Sequence, residues 1–360
     1  MLFNSYIFIF LFFPLTILGY FGLNHLKMYK AAMAFLIGMS CWFYAYHSIP
    51  YFLLLLCGIL LNYKDNFGYI DISQFEIPYS DEMWSTLSSF IWYNSPELFR
   101  IYSMGYSTAS GKFSLIAFAE YYTKEDYAVM LEEMYSSADK LLNGIKGNEN
   151  LDDVEKALLL HDRLALLCEY DYDSYLAGKI PESSYNAYGV FVLNDAVCKG
   201  YALAYDYLLE QVGIKSDYCA SDDINHAWNI VYINNIPYHV DVTWDDPIWD
   251  VSGRVTHENF LRSTNGIIKT GHIGDGKTTI DYTATPTDTT YDNYFWQEYE
   301  TAFQLLDDKI YCFNSSDKNI CLLKSISEAE VEVIKNLPYK WSTGEYAVFL
   351  ASFSNHSSYI

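Results

Sequence analysis

The chain has 360 residues, with 22 lysines and arginines against 45 aspartates and glutamates, a formal net charge of −23 at pH 7. Residues 1–61 hold Lys27 and Lys30 and no acid, so the other 299 carry a net charge of −25; that field repels nucleic acid and anionic headgroups and suits neutral or basic polypeptide partners. Seven cysteines, at 41, 57, 168, 198, 219, 312 and 321, show neither a disulfide framework nor zinc-site spacing, and no motif calls for a metal or a cofactor.

Met1 to Gly22 is almost wholly apolar and about as long as a bilayer crossing requires. After the polar bridge Asn24 to Lys30, Ala31 to Leu61 is apolar again, divided by Pro50. The expectation is a pair of N-terminal transmembrane helices that anchor the chain in a membrane. The positive-inside rule sets the Lys27 and Lys30 loop in the cytoplasm and the globular part outside the cell. The pieces Met1-Leu-Phe-Asn-Ser-Tyr-Ile-Phe8, Phe13-Pro14, Gly19-Tyr-Phe21, Phe43-Tyr44 and Leu60-Leu-Asn-Tyr63 resemble the opening of the membrane-bound O-acyltransferase family. That family needs further spans and an intramembrane histidine, which this chain lacks, so the resemblance implies a membrane segment over 1–63 and no acyltransferase activity. His25 and His47 are read as interfacial.

Residues 64–147 read as a small α+β region ahead of the core, with strand-like alternation near Phe113 to Tyr122 and a charged run from Glu120 to Lys140 that suits a solvated helix face. A catalytic core is expected over 148–296. It opens on a helix in which Asp152 is the N-cap, Glu155 completes a capping box, and Ala157, Leu158, Leu164, Leu167 and Cys168 form the buried stripe. His161 within it is read as a satisfied core histidine.

Chemistry concentrates between Asn194 and Pro247. Cys198 precedes an amphipathic run in which Ala202, Tyr205, Leu208, Leu209 and Val212 recur at helical spacing before Gly213. The sulfur is therefore expected at a helix N-terminus, where unpaired amides and the helix dipole favour a nucleophilic thiolate. Two strands follow, His226 to Ile233 and Ile236 to Thr243, joined by Asn234-Asn235. A two-residue turn pairs Ile233 with Ile236, sets Trp228 opposite Asp241 and His226 opposite Thr243, and leaves Asp241 diagonal to His226 on one face. The same parity puts His239 on that face as a second candidate. Residues 297–360 alternate short apolar strands with polar turns, a β-rich accessory tail.

Ala187-Tyr-Gly-Val190, Ala196-Val-Cys-Lys-Gly-Tyr201, Asn225-His-Ala-Trp-Asn229 and Tyr238-His-Val-Asp-Val-Thr-Trp-Asp-Asp-Pro247 resemble the transglutaminase-like superfamily. The resemblance implies an α+β, papain-like core in which a nucleophile helix packs on an antiparallel sheet, with Cys198 as nucleophile, His226 as base and Asp241 as orienting acid. Tyr188 is the candidate second oxyanion donor beside the Cys198 amide, and Trp228 and Trp244 are expected to wall the cleft. The function expected is thiol acyl transfer on protein or peptide amides, by hydrolysis. The alternatives are a protein-glutamine transglutaminase that crosslinks surface proteins and a non-catalytic binding module.

Overall fold

The structure, a computed structural model, describes residues 13–25, 32, 35, 68–73, 77–93, 95–249, 251, 253–272, 280–281 and 285–337. Contacts divide the chain into two units, Met1–Trp92 with Arg100–Lys124, and Tyr93–Phe99 with Glu125–Ile360.

In the first unit helix α1 spans Phe13–His25, strand β1 Tyr69–Asp71, helix α2 Asp81–Tyr93, and strands β2 Ile101–Ala109 and β3 Lys112–Glu120. The strands form an antiparallel sheet in the order β1-β3-β2. The β2–β3 hairpin turns on Ser110 and Gly111, both at positive φ, as a two-residue turn with the twist of its strands requires. Met83, Leu87 and Ile91 recur every fourth residue of α2 and are buried, which is why this stretch winds as a helix against apolar neighbours.

The expectation of N-terminal transmembrane helices is corrected here. Among the described residues no helix is long and apolar enough to cross a membrane. Helix α1 has 13 residues, which at the helical rise extends about 20 Å against a hydrocarbon core of about 30 Å. The rest of the two expected spans lies outside the described residues, apart from positions 32 and 35.

The second unit is α+β. Helix α3, Lys124–Leu142, buries Tyr127, Leu131, Met134, Ala138 and Leu141 and turns its charges outward. Helix α4, Asp153–Ala165, begins with the expected capping box: Asp152 accepts from the Glu155 amide at 2.8 Å and Glu155 accepts from the Asp152 amide at 2.9 Å. Strand β4, Glu169–Tyr170, helix α5, Tyr172–Ala177, and strand β5, Asp195–Ala196, lead into helix α6, Cys198–Gln211. Strands β6, Ser216–Ser221, β7, His226–Ile233, and β8, Ile236–Val240, follow. Helices α7, Val242–Asp245, and α8, Thr264–Lys269, come next, with strand β9, Ile280–Asp281.

This sheet is antiparallel in the order β8-β7-β6-β9, and α6 packs on β6 and β7. Polar anchors fix that packing: Asn229 Nδ2 donates to the Ala202 carbonyl at 3.0 Å, and Tyr205 Oη donates to the Ala157 carbonyl of α4 at 2.9 Å. Tyr201, Tyr205 and Trp228 are wholly buried, each contributing roughly 2–3 kcal/mol of apolar burial. The tail is an antiparallel sheet of β10, Gln304–Leu306, β11, Lys309–Asn314, β12, Asn319–Ser325, and β13, Glu330–Asn336. Cys312 and Cys321 face each other across β11 and β12 as free thiols.

Candidate active site

Cys198 is the first residue of α6, preceded by Val197 in extended backbone, and no side chain caps that end. A helix start of this kind attracts negative charge. Gly200 lets it sit directly on the preceding loop, since a Cβ there would lie 2.7 Å from the Ser184 carbonyl oxygen. Cys198 is partly exposed, whereas the other described cysteines, 168, 219, 312 and 321, are buried.

His226 opens β7 and is 9% exposed. Its Nε2 lies 2.6 Å from Asp241 Oδ2, and the Cys198 thiol is close enough to the same ring to favour its protonated form. With Nε2 committed to the carboxylate, Nδ1 is the nitrogen left for the sulfur. Burial by itself lowers the proton affinity of the ring. The charge and hydrogen bond of Asp241, assisted by Cys198, outweigh it and raise His226 to about 10.

The turn between β7 and β8 sets this geometry. Asn234 and Asn235 have φ of 52° and 65°, the left-handed pair of a two-residue hairpin turn, and Ile233 pairs with Ile236. Pairing runs to Asn229 opposite Val240, so the next position sets Trp228 level with Asp241, on the face of His226. The expected pairing of His226 with Thr243 does not form, because β8 ends at Val240 and Asp241 becomes the N-cap of α7. Its Oδ1 accepts from the amides of Thr243 and Trp244 at 3.0 and 3.3 Å, which leaves Oδ2 for imidazole.

A second imidazole uses that oxygen. His272 Nε2 lies 2.7 Å from Asp241 Oδ2, its Nδ1 lies 3.2 Å from Thr270 Oγ1, and the ring is wholly buried. Burial pushes the Asp241 carboxyl up, and the two imidazoles more than reverse this and hold it well below the usual carboxylate range. No periodic pattern marked His272; only the fold brings it to a carboxylate 31 residues earlier in the chain.

The remaining candidates fall into two groups. Trp244 stacks on His226 at 5.0 Å and meets His272 at a tilt at 4.1 Å between ring centres, and Trp228 stacks on His226 at 5.7 Å. Tyr188 is not brought to this group: its hydroxyl donates to Glu133 at 2.9 Å and its ring stacks on Phe99. His239 is buried with Nδ1 accepting from Trp228 Nε1 at 3.0 Å; burial, and then His272, lower it to about 3, which makes it a neutral structural acceptor. Three other phenols lie within electrostatic range of the sulfur. Tyr170, Tyr185 and Tyr218 are raised above the ordinary phenol range by burial first, with Cys198 contributing, so they stay protonated and able to donate. Tyr170 and Trp244 line a cavity of about 360 Å³ beside His226.

A second buried cluster lies within the same unit. His161 Nδ1 is 2.7 Å from Asp162 Oδ1 and its Nε2 3.1 Å from Asp245 Oδ2; His257 Nε2 is 3.0 Å from Asp162 Oδ1 and its Nδ1 2.9 Å from the Tyr299 carbonyl. Three candidate ligand atoms converge within 4.8 Å both here and at His226, Asp241 and His272. In both places the imidazole nitrogens stand 2.6 to 3.0 Å from a carboxylate oxygen, closer than the about 3.3 Å between ligands of a tetrahedral ion. Both clusters are therefore read as hydrogen-bonded networks.

No family model matches the sequence, and no curated protein matches it. Among solved structures it is weakly similar to one described as the crystal structure of a TGase, at 11% identity and a TM-score of 0.28. The similarity covers 47% of this chain and 49% of that one, so the chain spans about half the length of the structure it matches.

Proposed function

We propose that this chain is a cysteine-dependent acyl-transfer enzyme acting on amide bonds of proteins or peptides, with water as acceptor, and so a peptidase or amidase. The observation that supports this most is the meeting of the Cys198 thiol at a helix start with a His226 ring whose far nitrogen is 2.6 Å from buried Asp241. Cys198 attacks the carbonyl carbon while His226 takes the thiol proton. The tetrahedral adduct collapses as His226 returns that proton to the departing amine, leaving a thioester. Water, deprotonated by His226, then releases the carboxylic acid and restores the thiol. Asp241 keeps Nε2 protonated and so leaves the Nδ1 lone pair to act.

The developing oxyanion needs preorganised donors. The Cys198 amide is one, at a helix position with no preceding carbonyl to bind. Tyr170 is the second in this reading, because it feels the charge of Cys198 and lines the same cavity as His226. Trp244 and Trp228 shield the imidazole from water.

Transfer to an amine is a second reading. An adjoining cavity of about 540 Å³ is lined by Glu169, Asp171, Asp173, Asp195 and Asp246 and by no lysine or arginine, which suits a cationic acceptor. Incubating the protein with a glutamine-containing protein and a fluorescent primary amine separates the two. New peptide fragments, lost in Cys198→Ala, support hydrolysis; label incorporation lost in the same variant supports amine transfer. If neither appears and iodoacetamide modifies Cys198 no faster than Cys219, the chain is a binding module.

A further inference from the structure

Asp241 serves two imidazoles through one oxygen. His226 Nε2 and His272 Nε2 lie 2.6 and 2.7 Å from Oδ2, while Oδ1 is filled by the amides of Thr243 and Trp244. All four donors converge on a carboxylate that is 1% exposed, so water has no place in the set. His272 is itself held: Thr270 Oγ1 lies 3.2 Å from His272 Nδ1 and 2.7 Å from the Ile267 carbonyl oxygen, so the hydroxyl proton stands between two acceptors, and Trp244 packs across the ring. An N–H donor placed on the oxygen that another donor uses draws on the same electron density, and weakens the hold of that oxygen on its first partner.

We propose that His272 is a positioning residue that restrains Asp241 and, by sharing its Oδ2, moderates the pull of that carboxylate on the proton of His226. The inference rests on the reading of Cys198, His226 and Asp241 given above. It assigns His272 a purpose in the cycle: a His226 held too firmly in its protonated form returns its proton reluctantly to the leaving amine, and a second donor on Asp241 relaxes that grip. The titratable groups that bear on His226 are Cys198 from α6, Asp241 just after β8, and His272 after α8, whose ring centre is 5.7 Å away. His239, within β8, is turned to Trp228 and Thr264.

The experiment follows the His226 ring by NMR in protein labelled with ¹⁵N-histidine, and needs no substrate. His272→Phe keeps an aromatic ring against Trp244 and removes the donor; His272→Gln keeps an N–H. The expected result is a His226 titration midpoint about one pH unit higher in His272→Phe, and within a few tenths of the unaltered protein in His272→Gln. If His272→Phe does not fold, Thr270→Val, which removes the hydroxyl that orients His272, is expected to move the midpoint in the same direction by a smaller amount. A midpoint that stays in place or falls in the folded variants overturns the proposal. Iodoacetamide alkylation of Cys198 in the same samples keeps the two ideas apart: an inert Cys198 with a shifted His226 sinks the enzyme reading and leaves the shared hydrogen bond standing, whereas a reactive Cys198 with an unmoved His226 does the reverse.

Discussion

Cys198 is the partly exposed member of the five described cysteines, and it bears on the His226 ring. Brief iodoacetamide treatment of the folded protein is expected to label Cys198 first, with Cys168, Cys219, Cys312 and Cys321 following only on unfolding; mass mapping of the labelled peptides checks this. Asp241→Asn should keep the fold, because its Oδ1 still accepts from the amides of Thr243 and Trp244. It should lose roughly 10³- to 10⁴-fold in turnover, since an amide nitrogen turned to His226 would favour the wrong tautomer. Tyr170→Phe is expected to cost about 10²-fold in kcat with little change in Cys198 alkylation, the pattern of a lost oxyanion donor rather than a damaged nucleophile. Cys198, His226 and Asp241 stand out as candidates in the sequence because each sits in a locally recognisable context: a helix start, and two strands joined by a turn of fixed parity. Tyr188 was chosen on proximity along the chain, and its hydroxyl is spent on Glu133.

Two elements hold the site in register. The β7–β8 turn needs left-handed backbone at both Asn234 and Asn235. Asn235→Val should therefore cost about 1–2 kcal/mol in denaturant unfolding, a β-branched side chain being poorly tolerated there. The other element is the start of α6. Gly200→Ala forces a methyl to within 2.7 Å of a backbone oxygen, so the helix must shift and carry Cys198 with it, and slower alkylation at Cys198 is the measurable result. The short connector around α7 then ties three regions together. Asp241 takes the two imidazoles, Asp245 takes His161 and Asn259, and Asp246 accepts from Tyr201 of α6 at 2.6 Å. None of this was visible in hydrophobic periodicity, because a four-residue helix is defined by its capping carboxylate and not by an apolar stripe.

Across the second unit the His161, Asp162, His257 and Asp245 network joins α4 to α7 and to the loop before the tail sheet. Burial lowers the proton affinity of His161, but Asp162 and Asp245 overcome it and raise the ring to about 9 from an ordinary 6.5. The stability this contributes is fully present below pH 6.5 and is lost as pH rises through about 9. His226, raised to about 10, acts in the same direction at slightly higher pH. Thermal unfolding should thus show Tm falling between about pH 6.5 and 10, more shallowly in His161→Leu, which should itself cost about 3–5 kcal/mol by stranding two buried carboxylates.

What local pattern could carry, it carried: the capping box of α4, the helix behind Cys198, the hairpin and its face. These depend on neighbours within a few residues, where spacing and backbone preference act directly. The second imidazole on Asp241 and the buried histidine network depend on side chains far apart in the chain meeting at fixed distances. The length of α1 among the described residues likewise did not follow from apolar composition, which measures the cost of exposure to water and not how many residues a helix holds. Hydrogen-bond partners separated by 31 to 95 residues are chosen by packing, and packing is a property of the folded chain.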